Sequence, residues 1–379
     1  DFGKRSNHLD LISALFQVIE AYAISEQPSQ AMPLLEKAIH ATRRLQANLS
    51  MQLGQMGMQS GQSEGAVEAW KQSAQLAPDS SYYAAGLTQA LLEAGRIEDA
   101  QAYLQTKQKE DELPPDSHLL FSEALIAFRL GEKERAADKA KQAFDQRGSQ
   151  QSWNDFSRLA RLLSELDLHQ EAAQAAGFAL QARPYDVELL VLQVKSSLAV
   201  NRPEQALEAA QVASMLAPEI HDIKLLLVEC LEAAGEWGAA LAEREKILAV
   251  RETPNVSDLR ALANCAIRAG EPARAVQACE KAIELAPDDG LAYGLLGKAY
   301  ADLDDGEAAM QNFHMATQLA PHQPDPWLSL AYAYHQGGDT PKALEVLSAG
   351  SQAAQNSPEI HLALGEAYLA ENAPTHALA

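Results

Sequence analysis

One alanine column constrains this chain more than any other feature. Ala31, Ala66, Ala100, Ala136, Ala172, Ala206, Ala240, Ala275, Ala309, Ala343 and Ala377 follow one another at intervals of 34 to 36 residues. A residue type held at a fixed period along a whole chain implies one supersecondary unit used again and again. The phrase Leu-Ala-Pro falls on the same grid, beginning at Leu76, Leu216, Leu285 and Leu319.

Units placed so that the alanine is their position 20 begin at Ile12, Ala47, Ser81, Ser117, Trp153, Val187, His221, Val256, Gly290, Pro324 and Pro358, with residues 1–11 preceding them as an extension or the start of an earlier helix. Positions 4, 7, 8 and 11 of a unit are apolar or small, as in Tyr293, Leu296, Gly297 and Tyr300, or Trp327, Leu330, Ala331 and Tyr334. That spacing is one stripe of an α-helix. A break follows at position 15, marked by Gly61, Gly95, Gly131, Gly235, Gly270 and Gly338, with Pro28, Pro203, Pro272 or Pro341 just beyond. Glycine closes one helix and proline opens the next. The second helix ends at position 32, where Pro78, Pro184, Pro218, Pro287 and Pro321 stop it. Each unit therefore reads as a helical hairpin, with small residues at positions 8 and 20 where two backbones approach.

Composition agrees with an all-α reading. Aromatics make up only 6% of the 379 residues, and alanine is abundant, which suits closely packed helices better than pleated sheets. The net charge of −22 argues against nucleic acid or an anionic membrane surface as a general partner. No segment approaches the roughly 18 uninterrupted apolar residues of a membrane span. Cys230, Cys265 and Cys279 cannot all pair within one chain and lack the C-x-x-C spacing of a zinc or redox site. Buried free thiols in a reducing, cytoplasmic compartment are the expectation.

Tryptophan or tyrosine, then Leu-Gly or Leu-Ala and tyrosine, then alanine, then an aromatic, a small residue and proline at these offsets resemble the tetratricopeptide repeat. The units from Gly290 and Pro324 match best, and those from Ser117 and His221 least, because Glu123 and Arg244 stand at positions that are usually apolar. The resemblance implies an α-α superhelix of about eleven helix-turn-helix repeats over residues 12–379, the last one incomplete, with first helices lining an inner wall. Since a hairpin cannot bury its own apolar face, neighbours stack and share one core, which makes a single elongated domain the expectation. The stop midway through the unit from Pro358 is expected of a fragment excised from a longer protein. Two specialised patterns of the family are not met. Arg260 and Asn264 fit the first pair of a chaperone-tail carboxylate clamp, but Leu295, Asp325 and Ser329 break the rest. The asparagine ladder of the glycosyltransferase-linked arrays would need asparagine at position 6, where the chain has Arg158, Leu192 and Ala261 among others.

Chemistry is sparse. The segment Gly294-Leu-Leu-Gly-Lys-Ala-Tyr lacks the glycine spacing and the hydroxyl residue of a phosphate-binding loop. Asp302-Leu-Asp-Asp-Gly puts Leu303 and Ala301 where a calcium loop needs carboxylates. His314, His322 and His335 have neither the i, i+4 pairing nor the acid of a helical metal site. The expectation is no catalysis, no metal and no cofactor.

Binding residues are sought on the helix face opposite the packed stripe, at positions 2, 6, 9 and 13, to which the resemblance adds 5 and 12. Between Ser117 and Lys195 these include Phe121, Leu125, Phe128, Arg129, Arg158, Arg161, Leu192 and Lys195, a basic and apolar strip in an acidic chain. An acidic, partly apolar protein segment is the expected partner. In the alternative reading, positions 5 and 12 only pack adjacent helices and the arginines pair with Glu165 and Glu188. The expected function is a non-catalytic protein-interaction scaffold that binds a peptide in its concave groove. The runner-up is a regulatory arm of a larger NTPase, transcription regulator or transferase, and a third reading is an arm presenting substrate to an attached enzyme.

Overall fold

The computed structural model describes residues 28–109, 116–146, 153–251, 253–354 and 357–370, and every regular element among them is an α-helix. The chain divides into two compact units, Asp1–Ser196 and Ser197–Ala379. The first holds α1 (Pro28–Gln59), α2 (Ser63–Leu76), α3 (Ser81–Glu93), α4 (Ile97–Lys109), α5 (Ser117–Arg129), α6 (Lys133–Asp145), α7 (Trp153–Glu165) and α8 (His169–Ala182). The division falls within α9 (Val187–Ala199). The second unit continues with α10 (Pro203–Leu216), α11 (His221–Ala233), α12 (Trp237–Ala249), α13 (Val256–Arg268), α14 (Pro272–Leu285), α15 (Gly290–Asp302), α16 (Gly306–Leu319), α17 (Pro324–Gln336), α18 (Thr340–Ala353) and α19 (Pro358–Ala370). Within each unit the helices pair as antiparallel hairpins that stack on their neighbours, a helical solenoid.

The turn inside each described hairpin is set by one residue. Gly61, Gly95, Gly131, Gly235, Gly270 and Gly338 have φ between 73° and 80°, and Asp167, Asn201 and Asp304 take the same place with φ of 60°, 54° and 61°. Each lets the chain reverse while orphan carbonyls of the first helix are still satisfied: Gly95 donates to Leu92 O at 3.2 Å and Arg96 to Leu91 O at 2.8 Å. Aspartate and asparagine are the residues that tolerate this left-handed region best after glycine.

Small residues then bring the paired helices together. Ala66, Ala100, Ala136, Ala172, Ala206, Ala240 and Ala275 are fully buried, and Ala309 and Ala343 nearly so. Ala31 and Ala377 lie outside the residues whose side chains are described. Trp70 of α2 uses the room differently. Its ring is wedged between Gly54 of α1 and Gly86 of α3, where an added Cβ would lie 2.6 Å and 2.1 Å from ring atoms. Burying this one ring stabilises the stack by roughly 4–6 kcal/mol, taking the area of an indole at about 25 cal/mol per Å².

Two departures from the repeat pattern have physical causes. Ala47, read as the start of a unit, lies inside α1, which runs unbroken for 32 residues. No proline ends the preceding helix there, because position 32 is Arg43. The residues from Ile12 to Ser25 that would precede this helix lie outside the described residues. The polar intrusions Glu123 and Arg244 are matched across their own hairpins: Lys139 Nζ of α6 reaches Glu123 Oε2 of α5 at 2.7 Å, and Arg244 Nε of α12 reaches Glu232 Oε1 of α11 at 2.7 Å. An ion pair replaces an apolar contact in the two units that match the pattern least.

Candidate binding site

In the first unit, α1, α3, α5 and α7 contribute to a cleft of about 280 Å³. Its inner wall is Trp70, buried to 4% exposure, with Gly86 in front of it. Gly86 is position 6 of its repeat, where other units carry Ser122, Arg158 or Leu192; the missing side chain lets the Trp70 ring lie against α3 and line the cleft.

A polar relay crosses the mouth of the cleft. Asp116 caps α5 by accepting from the backbone N–H of His118 at 3.0 Å and Leu119 at 3.1 Å, and it also accepts from the Ser81 hydroxyl at the start of α3. His118 then stands between two carboxylates, with Nδ1 3.6 Å from Asp116 Oδ2 and Nε2 3.8 Å from Asp155 Oδ2 of α7. Burial alone would depress the imidazole, but attraction to Asp116 and Asp155 outweighs it and raises its pKa to about 9. At neutral pH His118 is a cation whose charge is taken up by its two neighbours. Burial likewise pushes the Asp116 carboxyl up, and its bonds with His118, Ser81 and Leu119 more than reverse this, leaving it below the ordinary value. Tyr82 of α3 meets His118 edge to face at 5.6 Å between centroids, and Gln55 of α1 donates to its hydroxyl at 3.4 Å.

Arg158 is the other cation of the cleft. Its guanidinium carbon lies 5.2 Å from the centre of the Phe121 ring, a stacking contact. Among the described residues no acceptor lies within hydrogen-bond distance of the group and no carboxylate within ion-pair distance. Burial lowers its pKa, against the more distant pull of Asp155, Glu93 and Tyr82. The guanidinium therefore lines the cleft with its N–H donors bonded to none of the described residues.

The eight residues of the expected strip separate into three groups. Phe121 and Arg158 line the cleft. Leu125, Phe128 and Leu192 are half-buried and pack into the core around Leu159 and Leu163, so they contribute to packing more than to a free surface. Arg161 is 53% exposed and donates to Glu188 at 2.6 Å, as the alternative reading expected; Arg129 and Lys195 are exposed. Tyr82 and His118, at position 2, and Trp70, from a second helix, were not in the strip. The helix face that carries Arg158 also carries Tyr82, Gly86 and Gln89 in the unit from Ser81, which precedes the strip.

Elsewhere, the segment from Gly294 is helix, and Gly297 packs where an added Cβ would meet Phe313 at 2.6 Å. The segment from Asp302 is a hairpin turn in which Asp305 caps α16 through Ala308 N at 3.1 Å. His314 bonds the Tyr334 hydroxyl at 2.8 Å and His322 the carbonyl of Ala353 at 3.1 Å. Among the described residues no cluster of histidine, cysteine or carboxylate side chains is arranged to hold a metal, and no helix is long and apolar enough to cross a membrane. Cys230, Cys265 and Cys279 are buried free thiols, which burial pushes up to about 12, 11 and 12.

Stacked hairpins with left-handed turns and an alanine at each crossing define an all-α repeat solenoid. Residues 86–151, 257–289 and 300–367 each match a family model described as tetratricopeptide repeat. The chain is a tetratricopeptide repeat protein. Among solved structures it is similar to a tetratricopeptide repeat protein from Parabacteroides merdae, with 15% identity over 66% of this chain and 98% of that one, at a TM-score of 0.45. It is also similar to YrrB, described as a TPR protein with an unusual peptide-binding site (20% identity, 53% and 99% covered, TM-score 0.37). A third is MamA from Desulfovibrio magneticus (20% identity, 45% and 97% covered, TM-score 0.39). No curated protein matches the chain significantly in sequence.

Proposed function

We propose that the chain is a non-catalytic scaffold that binds a segment of another protein along the first helices of residues 47–196, and that the segment is acidic and partly apolar. The observation that carries this reading is Arg158, a cation stacked on Phe121 at the cleft with no acceptor of its own. A partly desolvated charge without a partner is costly in the free protein, and an incoming carboxylate offsets that cost. Exposed Arg129 and Lys195 extend the positive strip along the same helices. The buried free thiols fit a reducing compartment such as the cytoplasm.

The test is charge reversal. Arg158→Glu combined with Arg161→Glu is expected to weaken capture of a protein partner at least tenfold, and to reduce the salt dependence of binding, with circular dichroism confirming the fold. Lys139 and Lys141 are poor controls because they pair with Glu123 and Glu171. Exposed Lys281 on α14 serves instead, and Lys281→Glu should leave binding unchanged. Equal binding by the double variant and the parent would defeat the proposal.

A further inference from the structure

The cleft is small and its walls are unlike one another, and both facts narrow what enters it. A volume of about 280 Å³ lies at or below the lower end of small-molecule pockets, roughly 300–1,000 Å³. It suits one large side chain. Trp70, Tyr82 and Phe121 form aromatic walls, and Gly86 admits the Trp70 ring to the space between α1 and α5. The charges that face this space are Glu93, His118, Asp155 and Arg158, with Asp116 behind His118. Asp116, His118 and Asp155 are occupied with one another, which leaves Arg158 facing the space and Glu93 exposed at the rim. The Glu93 side chain is drawn aside by Gln89, whose amide donates to it at 2.8 Å, yet it still attracts Arg158 through space.

Resting on the groove-binding reading above, we propose that the cleft takes a single anchor from the partner, an aromatic side chain beside a carboxylate. The ring packs against Trp70, Tyr82 and Phe121, and the carboxylate pairs with Arg158 in place of the distant Glu93. Glu93 is thus a resident competitor that tunes affinity, and the Trp70 ring seated against Gly86 sets how deep the anchor can reach. The carboxylate has two possible sources, an aspartate or glutamate side chain next to the ring or the terminal carboxylate of a chain ending on it.

A displayed library of random dodecapeptides, selected on the whole chain, tests this together with calorimetry on synthetic hexapeptides. Selection is expected to enrich an aromatic residue adjacent to an acidic one. An acetylated, amidated hexapeptide with adjacent Asp and Phe should lose about tenfold in affinity when Asp becomes Asn, the loss of one charge-assisted pair. The same change should cost nothing on Arg158→Gln. Glu93→Gln should bind the acidic peptide at least twofold more tightly. Peptides that bind only with a free terminal carboxylate after the ring would identify the second source and support the same site.

Enriched peptides with no acidic-aromatic pair, displaced by Arg158→Glu with Arg161→Glu, would overturn the anchor and leave the groove reading standing. No enrichment at all, or enrichment insensitive to that double reversal, would overturn both. An Asp-to-Asn penalty that persists undiminished on Arg158→Gln would overturn the pairing of the carboxylate with Arg158.

Discussion

His118 of α5 and Asp155 of α7 face each other with Nε2 3.8 Å from Oδ2, and this pair ties together two first helices that form the cleft. The imidazole titrates near 9 in the fold against about 6.5 unfolded, so its contribution is complete below about pH 6.5 and is lost as pH rises through about 9. The loss is on the order of 2 kcal/mol, reduced from the full linkage value because the ring is not wholly buried. Hydrogen-exchange protection of α5 and α7 should fall between pH 7 and pH 10, and His118→Gln should flatten that profile. An unchanged profile in the variant would remove His118 from the account.

Arg244 and Glu232 form the ion pair that replaces an apolar contact between α11 and α12. Glu232→Ala strands a largely buried guanidinium and should cost about 1–3 kcal/mol. The double variant Glu232→Leu with Arg244→Leu should fall within about 1 kcal/mol of the parent or exceed it, since packed apolar groups of similar volume often equal a buried pair. Urea denaturation of the three proteins decides between pairing and packing.

Asp167, Asn201 and Asp304 occupy the left-handed turn that glycine fills in six other hairpins. Each change to glycine should stabilise the chain by about 0.5 kcal/mol, the relief of a Cβ clash less the added freedom of the unfolded state. Gly95→Ala should act in the opposite sense and cost about 1 kcal/mol. Thermal melts of the four variants give the comparison.

Ala172 and Ala275 are fully buried at helix crossings, one in each unit. Leucine at either site should overpack its crossing by roughly 1–3 kcal/mol. In a stack of repeats the damage is local, so exchange protection should fall first in the substituted hairpin. Uniform loss along the chain would argue against independent hairpins.

The first helices begin at Ser81, Ser117, Trp153, Val187, His221, Val256, Gly290, Pro324 and Pro358, all legible as unit starts because turns and crossings depend on local backbone sterics and side-chain size. Ala47 lies inside a continuous helix instead: the alanine grid registers helix contacts and is blind to a missing turn. At the cleft, the helix face exposed Phe121 and Arg158 to a reading of the sequence. It could not show that Trp70 reaches through Gly54 and Gly86 from a second helix, or that His118 is claimed by Asp155 one repeat further on. Those relations join residues far apart in the chain, and a face count along one helix carries no information about them.

The unbroken α1 has a consequence for length variation. A loop between hairpins absorbs an added residue by rearranging, whereas a continuous helix converts it into rotation. One residue inserted between Arg43 and Leu49 would swing the part of α1 before it by about 100° around the helix axis and advance it by about 1.5 Å. Seven residues would return it to within about 20° of its starting azimuth. The N-terminal half of α1 is therefore phase-locked to Gln55 and Met58 at the cleft, and natural insertions in this stretch are expected near whole numbers of turns, such as about seven or about eleven residues, or not at all.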